Sequence, residues 1–508
     1  MSADMPDSRA ARDDRPEHTR RKISAGTISG GALVASTIVT AVLHYKQVFL
    51  YLPRETAGVW LLFWSFGSYL AFFDLGIGPT LSREIAFLSG MPVQERLRSV
   101  ADLFASCLRL YVIIAACLLL AATVAGWLFL PRLKLSAPSD PVLLASWSLF
   151  AAGSCINLLG NISYAVLTGE GQVAAERITR AVTMLIWLAI SAATLMTGHG
   201  LLGLSAAWFC HACASRLIAV GAVRVFVPDL RLRSGSWDTG AARRLARPST
   251  QWALTQLGAL LILQTDNVVI AWNLGAAAIP TYEATAKVVT AVGTIALLRT
   301  NASVPYYSRA ASASDIPALR HLLDANVRHA LLVMAAAMGF MASFGQDVFQ
   351  VWLGAGNFVG YPLLFVMLVM MTLETHHVSH ANLVMATGRI PFVRPAFIAG
   401  VLNLAISLAL VRWLGALGVA LGTMIAQIAT NNWYAPYLTL RQLEVPIARY
   451  LRGVLPFFFL FAAGFALAQA ALSALLGERS SMLRLAAGMI IGTVLYVAAA
   501  RRKIEPSF

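Results

Sequence analysis

The stretch from Ala57 to Gly90 reads AGVWLLFWSFGSYLAFFDLGIGPTLSREIAFLSG. It begins as a long apolar segment that is rich in aromatic residues and carries no charge before Asp74. An apolar segment of about 20 residues with one charged end is typical of a helix that leaves a lipid bilayer. The residues that close the stretch form a candidate structural motif, which consists of Asp74, Gly76, Gly78, Pro79 and Arg83.

The same ending recurs in the second half of the chain, where Pro305 and Arg309 of PYYSR stand in the places of Pro79 and Arg83 in PTLSR. Further pairs follow at nearly the same spacing in both halves. The small drift in this spacing is what short loop deletions produce, so we interpret the chain as two homologous lobes. The further pairs are Thr168-Gly169 with Thr387-Gly388, and Gly200 and Gly203 with Gly415 and Gly418.

The composition is that of a membrane protein. Of the 508 residues, 58% are hydrophobic and only 12% are charged, and the mean hydropathy is +0.69. Soluble globular proteins carry about 25% charged residues, so most of this chain must be surrounded by lipid. The net charge of +15 does not indicate nucleic-acid binding, because the arginines stand in short loops between apolar segments, as the positive-inside rule expects.

Fourteen segments are apolar and long enough to span a membrane as a helix, which takes about 20 residues. Arginine and lysine residues concentrate in one alternating set of loops, so we predict that these loops and both termini are cytoplasmic. No loop of the other set is large enough to form a domain. The predicted spans cover residues 27–50, 57–80, 104–130, 141–167, 175–197, 201–225, 249–273, 279–304, 327–353, 361–387, 392–411, 416–438, 453–476 and 483–500.

These segments predict an all-α integral membrane protein of about 14 transmembrane helices, in two parallel-repeat lobes of six helices plus two C-terminal helices. Each lobe has an even number of spans, so both face the same way about a pseudo-twofold axis along the membrane normal. Two such lobes are the ground plan of an alternating-access transporter. The predicted parts are a disordered cytoplasmic tail (1–26), an N-lobe (27–227), a basic cytoplasmic linker (228–247), a C-lobe (248–441), and spans 13 and 14 with the C-terminal tail (442–508).

The FDLGIGPTLSREIA segment follows the helix start at Gly58-Val59-Trp60. It resembles the polysaccharide-transporter branch, which includes O-antigen flippases, of the multidrug/oligosaccharidyl-lipid/polysaccharide exporter superfamily. The resemblance implies a V-shaped pair of lobes in the bacterial inner membrane. It also implies that an undecaprenyl-diphosphate-linked oligosaccharide is flipped to the periplasmic leaflet for O-antigen, capsule or exopolysaccharide synthesis. The implied partners are membrane lipids, H⁺ or Na⁺ as coupling ion, and polysaccharide polymerase components. The Asp74–Arg83 motif, with Pro305 and Arg309, would then serve gating.

Ionisable residues inside a bilayer are costly, so each is a candidate for function. We expect a cavity lined by Lys46, Lys287 and Arg299 to attract a diphosphate. In the alternative interpretation, the pairs Lys46–Asp266 and Glu283–Lys287 only tie helices together; Glu283 and Lys287 stand four residues apart on one helix face. The candidates for substrate or cavity contact are Lys46, Asp266, Glu283, Lys287, Arg299, Glu374, His377 and His380.

The most polar stretch within any predicted span is Glu374-Thr375-His376-His377-Val378-Ser379-His380. His376 and His380 share one helix face, and Glu374 and His377 share a neighbouring face. A metal site would need ligands that converge, but these groups spread over much of the helix circumference, so we predict no metal. A proton relay, a sugar-binding wall and polar packing remain open for the stretch.

Several motifs of catalysis do not occur in the sequence. It contains no GxxxxGK[ST] phosphate loop, no G-x-S-x-G elbow and no HExxH, so we predict neither a cofactor nor an enzyme. Two alternatives to the flippase stay open. One is a cation-coupled small-molecule or drug exporter of the same superfamily. The other is a membrane glycan polymerase or ligase, which the short outer loop at 131–140 disfavours, because such enzymes carry a sizeable outer loop with catalytic groups.

Overall fold

The computed structural model describes residues 10–133, 135, 140–230, 235–237, 240, 260, 262, 264–387 and 391–501, without the side chains of residues 10–28. In this part of the chain the regular structure is helical throughout. The prediction of an all-α membrane protein is therefore confirmed. The residues group into two compact units, the first of Met1–Leu52 with Gly67–Ala253 and the second of Pro53–Phe66 with Leu254–Phe508.

In the first unit, long helices pack at close range where glycine replaces a side chain. A Cβ atom on Gly126 would lie 2.0 Å from Nε1 of Trp147, whose N–H donates to the carbonyl oxygen of Ala122 at 2.8 Å. The unit contains α1 (Ala10–Tyr51), the later part of α2 (Arg54–Phe72), α3 (Ile77–Phe87), α4 (Val93–Phe129), α5 (Asp140–Gly169), α6 (Val173–Met196) and α7 (Gly200–Phe226).

The second unit also holds the first part of α2, which lies against residues 276–278. A Cβ atom on Gly58 would lie 1.8 Å from the carbonyl oxygen of Ala276, so only glycine permits this approach. The unit contains α8 (264–274), α9 (Ile279–Ala302), α10 (Val304–Ser312), α11 (Ile316–Leu353), α12 (Tyr361–Ala386), α13 (Val393–Leu414), α14 (Ala416–Ala429), α15 (Asn431–Gln442), α16 (Ile447–Leu476) and α17 (Ser481–Arg501).

The two C-terminal helices, α16 and α17, pack against α11 of the second unit. Asp347 of α11 accepts a hydrogen bond from the Ser481 hydroxyl at 2.7 Å and pairs with Arg484 at 3.3 Å. Gln469 of α16 donates to the carbonyl oxygen of Gly488 in α17 at 3.0 Å. Polar contacts therefore fix both helices to one unit.

Ten described helices are long and apolar enough to cross a membrane: α1 from Ser29 onward, α4, α5, α6, α7, α11, α12, α13, α16 and α17. The bent pair α2 and α3 makes an eleventh if it is one span. The predicted count of 14 is not confirmed. Residues 249–259, 261 and 263 of the predicted span 249–273 lie outside the described residues. α9 carries three charges, Glu283, Lys287 and Arg299, and the segment at 416–438 breaks at Thr430 between α14 and α15.

Each half of the chain contains a helix that is followed by a short helix and then by a long helix. These are α2, α3 and α4 in the first half, and α9, α10 and α11 in the second. α2 and α3 meet at a bend of 40°, where Leu75 and Gly76 have φ angles of 51° and 73°. α9 and α10 meet at Ser303, and Pro305 stands in the first turn of α10. The long helices that follow, α4 and α11, have 37 and 38 residues. The two-lobe repeat stays a prediction that this order supports.

α1 begins at Ala10, within residues 1–26, which the sequence predicts as a disordered cytoplasmic tail. The apolar part of α1 supplies the physical reason. Extending an existing helix costs far less than starting a new one, so the polar segment continues the helix of the apolar segment. Residues 1–9 lie outside the described part of the chain.

Candidate functional site

Asp266 of α8 lies in a network of oxygen atoms inside the second unit. Its carboxylate accepts a hydrogen bond from the Tyr282 hydroxyl of α9. The Thr423 hydroxyl of α14 lies 3.3 Å from the other carboxylate oxygen. The consecutive helices α8 and α9 and the distant α14 therefore meet at one acidic side chain.

Neutral oxygens complete this network on α13 and α14. The Thr423 hydroxyl lies 2.9 Å from Oδ1 of Asn403 and 3.3 Å from the carbonyl oxygen of Val419. The Ser407 hydroxyl lies 3.0 Å from the same Asn403 oxygen and 3.2 Å from the same carbonyl. We call the set Asp266, Asn403, Ser407, Val419 and Thr423 the oxygen cluster. Its composition, one carboxylate among neutral oxygens, suits a hard cation, which takes oxygen ligands.

A second polar chain begins at the next residue, Asn267, which is 4% exposed. Its Nδ2 group donates to the Ser65 hydroxyl of α2 at 2.7 Å and to Oε1 of Glu283 at 2.6 Å. Glu283 pairs in turn with Lys287 at 3.5 Å, and the Lys287 side chain is 50% exposed. Glu283 and Lys287 lie on one helix, so the contacts of Asn267 rather than this ion pair join the helices.

Arg299 lies near the other end of α9, in a separate cluster. Its Nε group donates to Oδ1 of Asn326 at 3.2 Å, and Nδ2 of Asn326 donates to the Tyr307 hydroxyl at 2.7 Å. Ser303 donates to the same Asn326 oxygen at 3.2 Å. Burial raises the pKa of Tyr307 to about 12, so its hydroxyl keeps its proton. The cluster fixes α9, α10 and α11 to one another where the short helix begins.

The polar stretch of α12 divides among different neighbours. His376 and His380 both contact the Tyr450 hydroxyl of α16. His377 instead contacts the carbonyl oxygen of Asn431 through Nδ1 at 2.8 Å, and Glu374 is partly exposed. Within the described residues, no group of three or more His, Cys, Asp or Glu side chains is placed to hold a metal ion.

The Asp74–Arg83 motif lies in the first unit. Asp74 accepts hydrogen bonds from the Tyr111 hydroxyl and from Nδ2 of Asn161, the latter at 3.4 Å. Gly76 takes the left-handed conformation that ends the bend, and a Cβ atom on Gly78 would lie 3.7 Å from the Asp74 carboxylate. Asp74 therefore ties the bend to α4 and α5. Pro79 lies in the first turn of α3, and the exposed Arg83 lies 3.8 Å from Glu84.

The structure separates the remaining candidates. Lys46 is exposed on α1 of the first unit. Pro305 and Arg309 are exposed on α10 of the second unit. Asp266, Glu283 and Lys287 come together through α8 and α9, whereas Arg299 and the α12 histidines have their own neighbours. A common cavity for Lys46, Lys287 and Arg299 stays a prediction.

Sequence reasoning missed the neutral residues of these networks. Ser65, Asn267, Asn403 and Thr423 carry no charge, so a search for ionisable residues in spans passes over them. Asn267 and Asn403 were nevertheless visible as amides inside apolar segments, where a polar side chain needs a partner. Tyr450 offered no such signal, because tyrosine is common near membrane interfaces.

No protein-family model matches the sequence, and no curated protein matches it. Solved structures do match in fold. The lipid II flippase MurJ, in an inward closed conformation, aligns with a TM-score of 0.70 at 12% sequence identity, over 93% of this chain and 98% of that chain. An inward-facing multidrug resistance MATE family transporter of the MOP superfamily aligns with a TM-score of 0.66 at 16% identity, over 80% of this chain and 96% of that chain.

A MOP superfamily transporter from Pyrococcus furiosus aligns with a TM-score of 0.56 at 15% identity, over 83% of this chain and 95% of that chain. At these identities the similarity establishes the fold. This chain is a multi-pass membrane protein with the fold that MATE transporters and MurJ share.

Proposed function

We propose that this protein flips an undecaprenyl-diphosphate-linked oligosaccharide across the bacterial inner membrane, by alternating access, for surface polysaccharide synthesis. The observation that carries the proposal is the extent of the fold match. MurJ, a lipid II flippase, aligns with 93% of this chain, whereas the MATE transporters align with 80–84% of it. The FDLGIGPTLSREIA resemblance supports the polysaccharide-transporter branch of the superfamily.

Exposed cations support an anionic substrate. Lys287 is half exposed although it pairs with Glu283, so its ammonium group keeps room for a further anion. Nε of the exposed Arg299 donates to the neutral Oδ1 atom of Asn326. Arginine binds phosphate groups with a planar fork of donors. We assign Lys287 and Arg299 to the diphosphate. Lys46 is exposed on α1 of the first unit, and its contact with the substrate stays a prediction from the sequence.

The oxygen cluster would hold the coupling ion. Asp266 supplies the single negative charge, and Asn403, Ser407, Thr423 and the Val419 carbonyl supply neutral oxygens within about one ligand shell. A sodium ion fits this donor set, because it needs oxygen ligands and little charge. The bound ion would neutralise Asp266 and release the Thr423 hydroxyl from it. Asn267, the next residue, would carry that change to Ser65 and Glu283 through its two hydrogen bonds.

A deletion strain tests the function. Without the gene, the lipid-linked oligosaccharide should accumulate on the cytoplasmic leaflet and surface polysaccharide should disappear. Complementation by the wild-type gene should restore both. If the polysaccharide persists unchanged while drug sensitivity rises, the cation-coupled exporter is the correct function. If the polysaccharide units leave the cell but stay unpolymerised, a glycan polymerase or ligase is the correct function.

The proposed topology places both termini in the cytoplasm, because arginines concentrate in that set of loops. Reporter fusions after Arg244 and Arg502 should report the cytoplasm, and a fusion at Ser136 should report the periplasm. Opposite results at Arg244 or Ser136 would contradict the two-lobe arrangement.

A further inference from the structure

Two histidines of α12 share one hydroxyl group of α16. Nε2 of His376 lies 2.6 Å from the Tyr450 hydroxyl oxygen, and Nε2 of His380 lies 2.8 Å from it. The two imidazole rings have centroids only 4.7 Å apart. His380 is fully buried and Tyr450 is 1% exposed. The three groups form a continuous hydrogen-bonded chain, His376–Tyr450–His380.

The number of protons in this chain is limited. A phenol has one hydrogen, so Tyr450 can donate to only one of the two histidines. The other histidine must carry a proton on Nε2 and donate it to the Tyr450 oxygen. Nδ1 of His380 is buried and has no hydrogen-bond partner in the described residues. Because buried N–H groups without an acceptor are rare, we assign the donated Nε2 proton to His380 and the accepting Nε2 to His376.

An extra proton disturbs this arrangement. If His376 is protonated and His380 keeps its proton on Nε2, both Nε2 atoms point hydrogens at one oxygen, and Tyr450 can donate to neither ring. If the His380 proton lies on Nδ1 instead, Tyr450 can donate to Nε2 of His380, but the buried Nδ1–H has no acceptor in the described residues. A positive charge then also sits beside a second, fully buried imidazole. Both consequences weaken the chain, because buried charges and unsatisfied donors are costly.

Among the described neighbours of the three groups, the carboxylate is already paired with an arginine. Asp324 of α11 interacts electrostatically with Tyr450, but it is paired with Arg328 at 2.9 Å. On α12 itself, His377 faces both histidines and would add to the repulsion. α9 faces this stretch with Thr300, and α15 with Thr439, which are neutral hydroxyls. The cations beside Tyr450 on α16, Arg449 and Arg452, are exposed.

We propose that the His376–Tyr450–His380 chain is a proton-binding site that controls the docking of α16 on α12. The neutral chain holds the N-terminal end of α16 in place. Uptake of one proton from the side of His376, which is only partly buried, breaks the chain and loosens that end. The docked form thus binds fewer protons than the undocked form, so its stability rises with pH.

The same fold contains a matched control. Tyr496 of α17 contacts one histidine, His329 of α11, with its hydroxyl 2.9 Å from Nδ1. A single pair of this kind survives a change of protonation. The phenol donates to a neutral ring, and an imidazolium donates to the phenol oxygen. The Tyr496 contact should therefore hold α17 without responding to pH.

Thermal unfolding of the purified full-length protein tests the proposal, with wild type, Tyr450→Phe and Tyr496→Phe compared between about pH 5 and pH 8, the range of histidine titration. We expect the melting midpoint of Tyr450→Phe to lie about 2–4 °C below wild type at the alkaline end. This gap should close toward the acidic end, where the chain of the wild type is already broken. The gap for Tyr496→Phe should stay constant across the range.

A gap for Tyr450→Phe that does not change with pH would overturn the proposal and leave a simple packing contact. A gap for Tyr496→Phe that closes in the same way would overturn it as well, because the effect would not depend on the shared hydroxyl. If Tyr450→Phe does not accumulate in the membrane, His376→Gln replaces it in the same assay. Glutamine leaves Tyr450 an acceptor but cannot titrate, so a gap that stays constant with pH for this variant would also reject the site.

Discussion

The two units place opposite chemistry at comparable positions. Trp208 lies five residues after Gly203 in the first unit, and Thr423 lies five residues after Gly418 in the second. Trp208 packs edge-on against Trp187 of the preceding helix, with ring centroids 5.3 Å apart. Thr423 instead contacts Asn403 of the preceding helix at 2.9 Å.

The surroundings extend this difference. In the first unit, His211 stacks on Trp208 and His44 packs against Trp187, which makes an aromatic cluster. In the second unit, the corresponding helices hold the oxygen cluster around Asp266. Large rings fill space by apolar contact, whereas small oxygens leave lone pairs that a cation can use. We infer that the aromatic cluster gives the first unit rigidity and that the oxygen cluster gives the second unit the proposed ion site.

The largest effect should come from Asp266→Asn, which removes the only carboxylate of the oxygen cluster. Polysaccharide export, normalised to membrane abundance, should fall about 10- to 100-fold, as when support of a metal site is lost. Sodium chloride should also stop raising the melting midpoint of the purified variant relative to choline chloride.

The matched change in the first unit is Asp74→Asn, since Asp74 is likewise hydrogen-bonded to a tyrosine and a second polar residue. Its sodium-dependent stabilisation should equal that of the wild type. If both Asp266→Asn and Asp74→Asn lost the sodium-dependent stabilisation, sodium binding would not distinguish the second unit from the first.

The next largest effect should come from Lys287→Gln, which should lose most export while the protein remains inserted at its normal level. If Lys287 serves only Glu283, the double variant Glu283→Gln/Lys287→Gln should export almost normally. If Lys287 holds a diphosphate, the double variant should still fail, and Lys287→Arg should work better than Lys287→Gln, because arginine keeps the charge. Polysaccharide export normalised to membrane abundance decides between these two roles of Lys287. Near-normal export by the double variant would show that Lys287 does not bind the diphosphate.

Trp208→Ala and Thr423→Ala test the comparison most directly. Trp208→Ala should destabilise the protein by about 3–5 kcal/mol, the usual cost of removing a buried aromatic ring, and should keep its sodium-dependent stabilisation. Thr423→Ala should cost about 1 kcal/mol in stability and should lose the sodium effect. Melting curves with and without sodium measure both the loss of stability and the sodium effect. If Trp208→Ala lost the sodium effect and Thr423→Ala kept it, the proposed roles of Trp208 in packing and Thr423 in ion binding would be refuted.

The smallest effects should come from two serines, each four residues after the contact residue of its unit: Ser191 after Trp187 and Ser407 after Asn403. Ser191 donates to the carbonyl oxygen of Leu188 at 2.9 Å, so Ser191→Ala should cost about 0.5–1.5 kcal/mol and nothing else. Ser407→Ala should cost a similar amount and should also weaken sodium binding severalfold. Sodium titrations of the two variants, followed by the melting midpoint, separate them. Equal sodium affinities would exclude Ser407 from the ion site.

The sequence by itself determined that this chain is a helical membrane protein. Apolar length and scarce charge decide this, since each is a property of consecutive residues. The sequence also marked Asp74, Gly76 and Pro79 as a candidate motif, but the predicted span 57–80 runs through the bend that the structure places between Phe72 and Ile77. It marked Asp266, Glu283 and Lys287 as candidates, because a charge in an apolar segment is visible without any partner.

Only the tertiary structure decided which of these residues have common neighbours. Asn403 and Thr423 lie on consecutive helices, but Asp266 stands 157 residues before Thr423 in the chain, so no periodicity or spacing connects it with them. The pairing of Tyr450 with His376 and His380 depends in the same way on how α16 packs. Hydropathy describes one residue at a time, whereas a hydrogen bond belongs to two, and only the packing of helices determines which two residues meet.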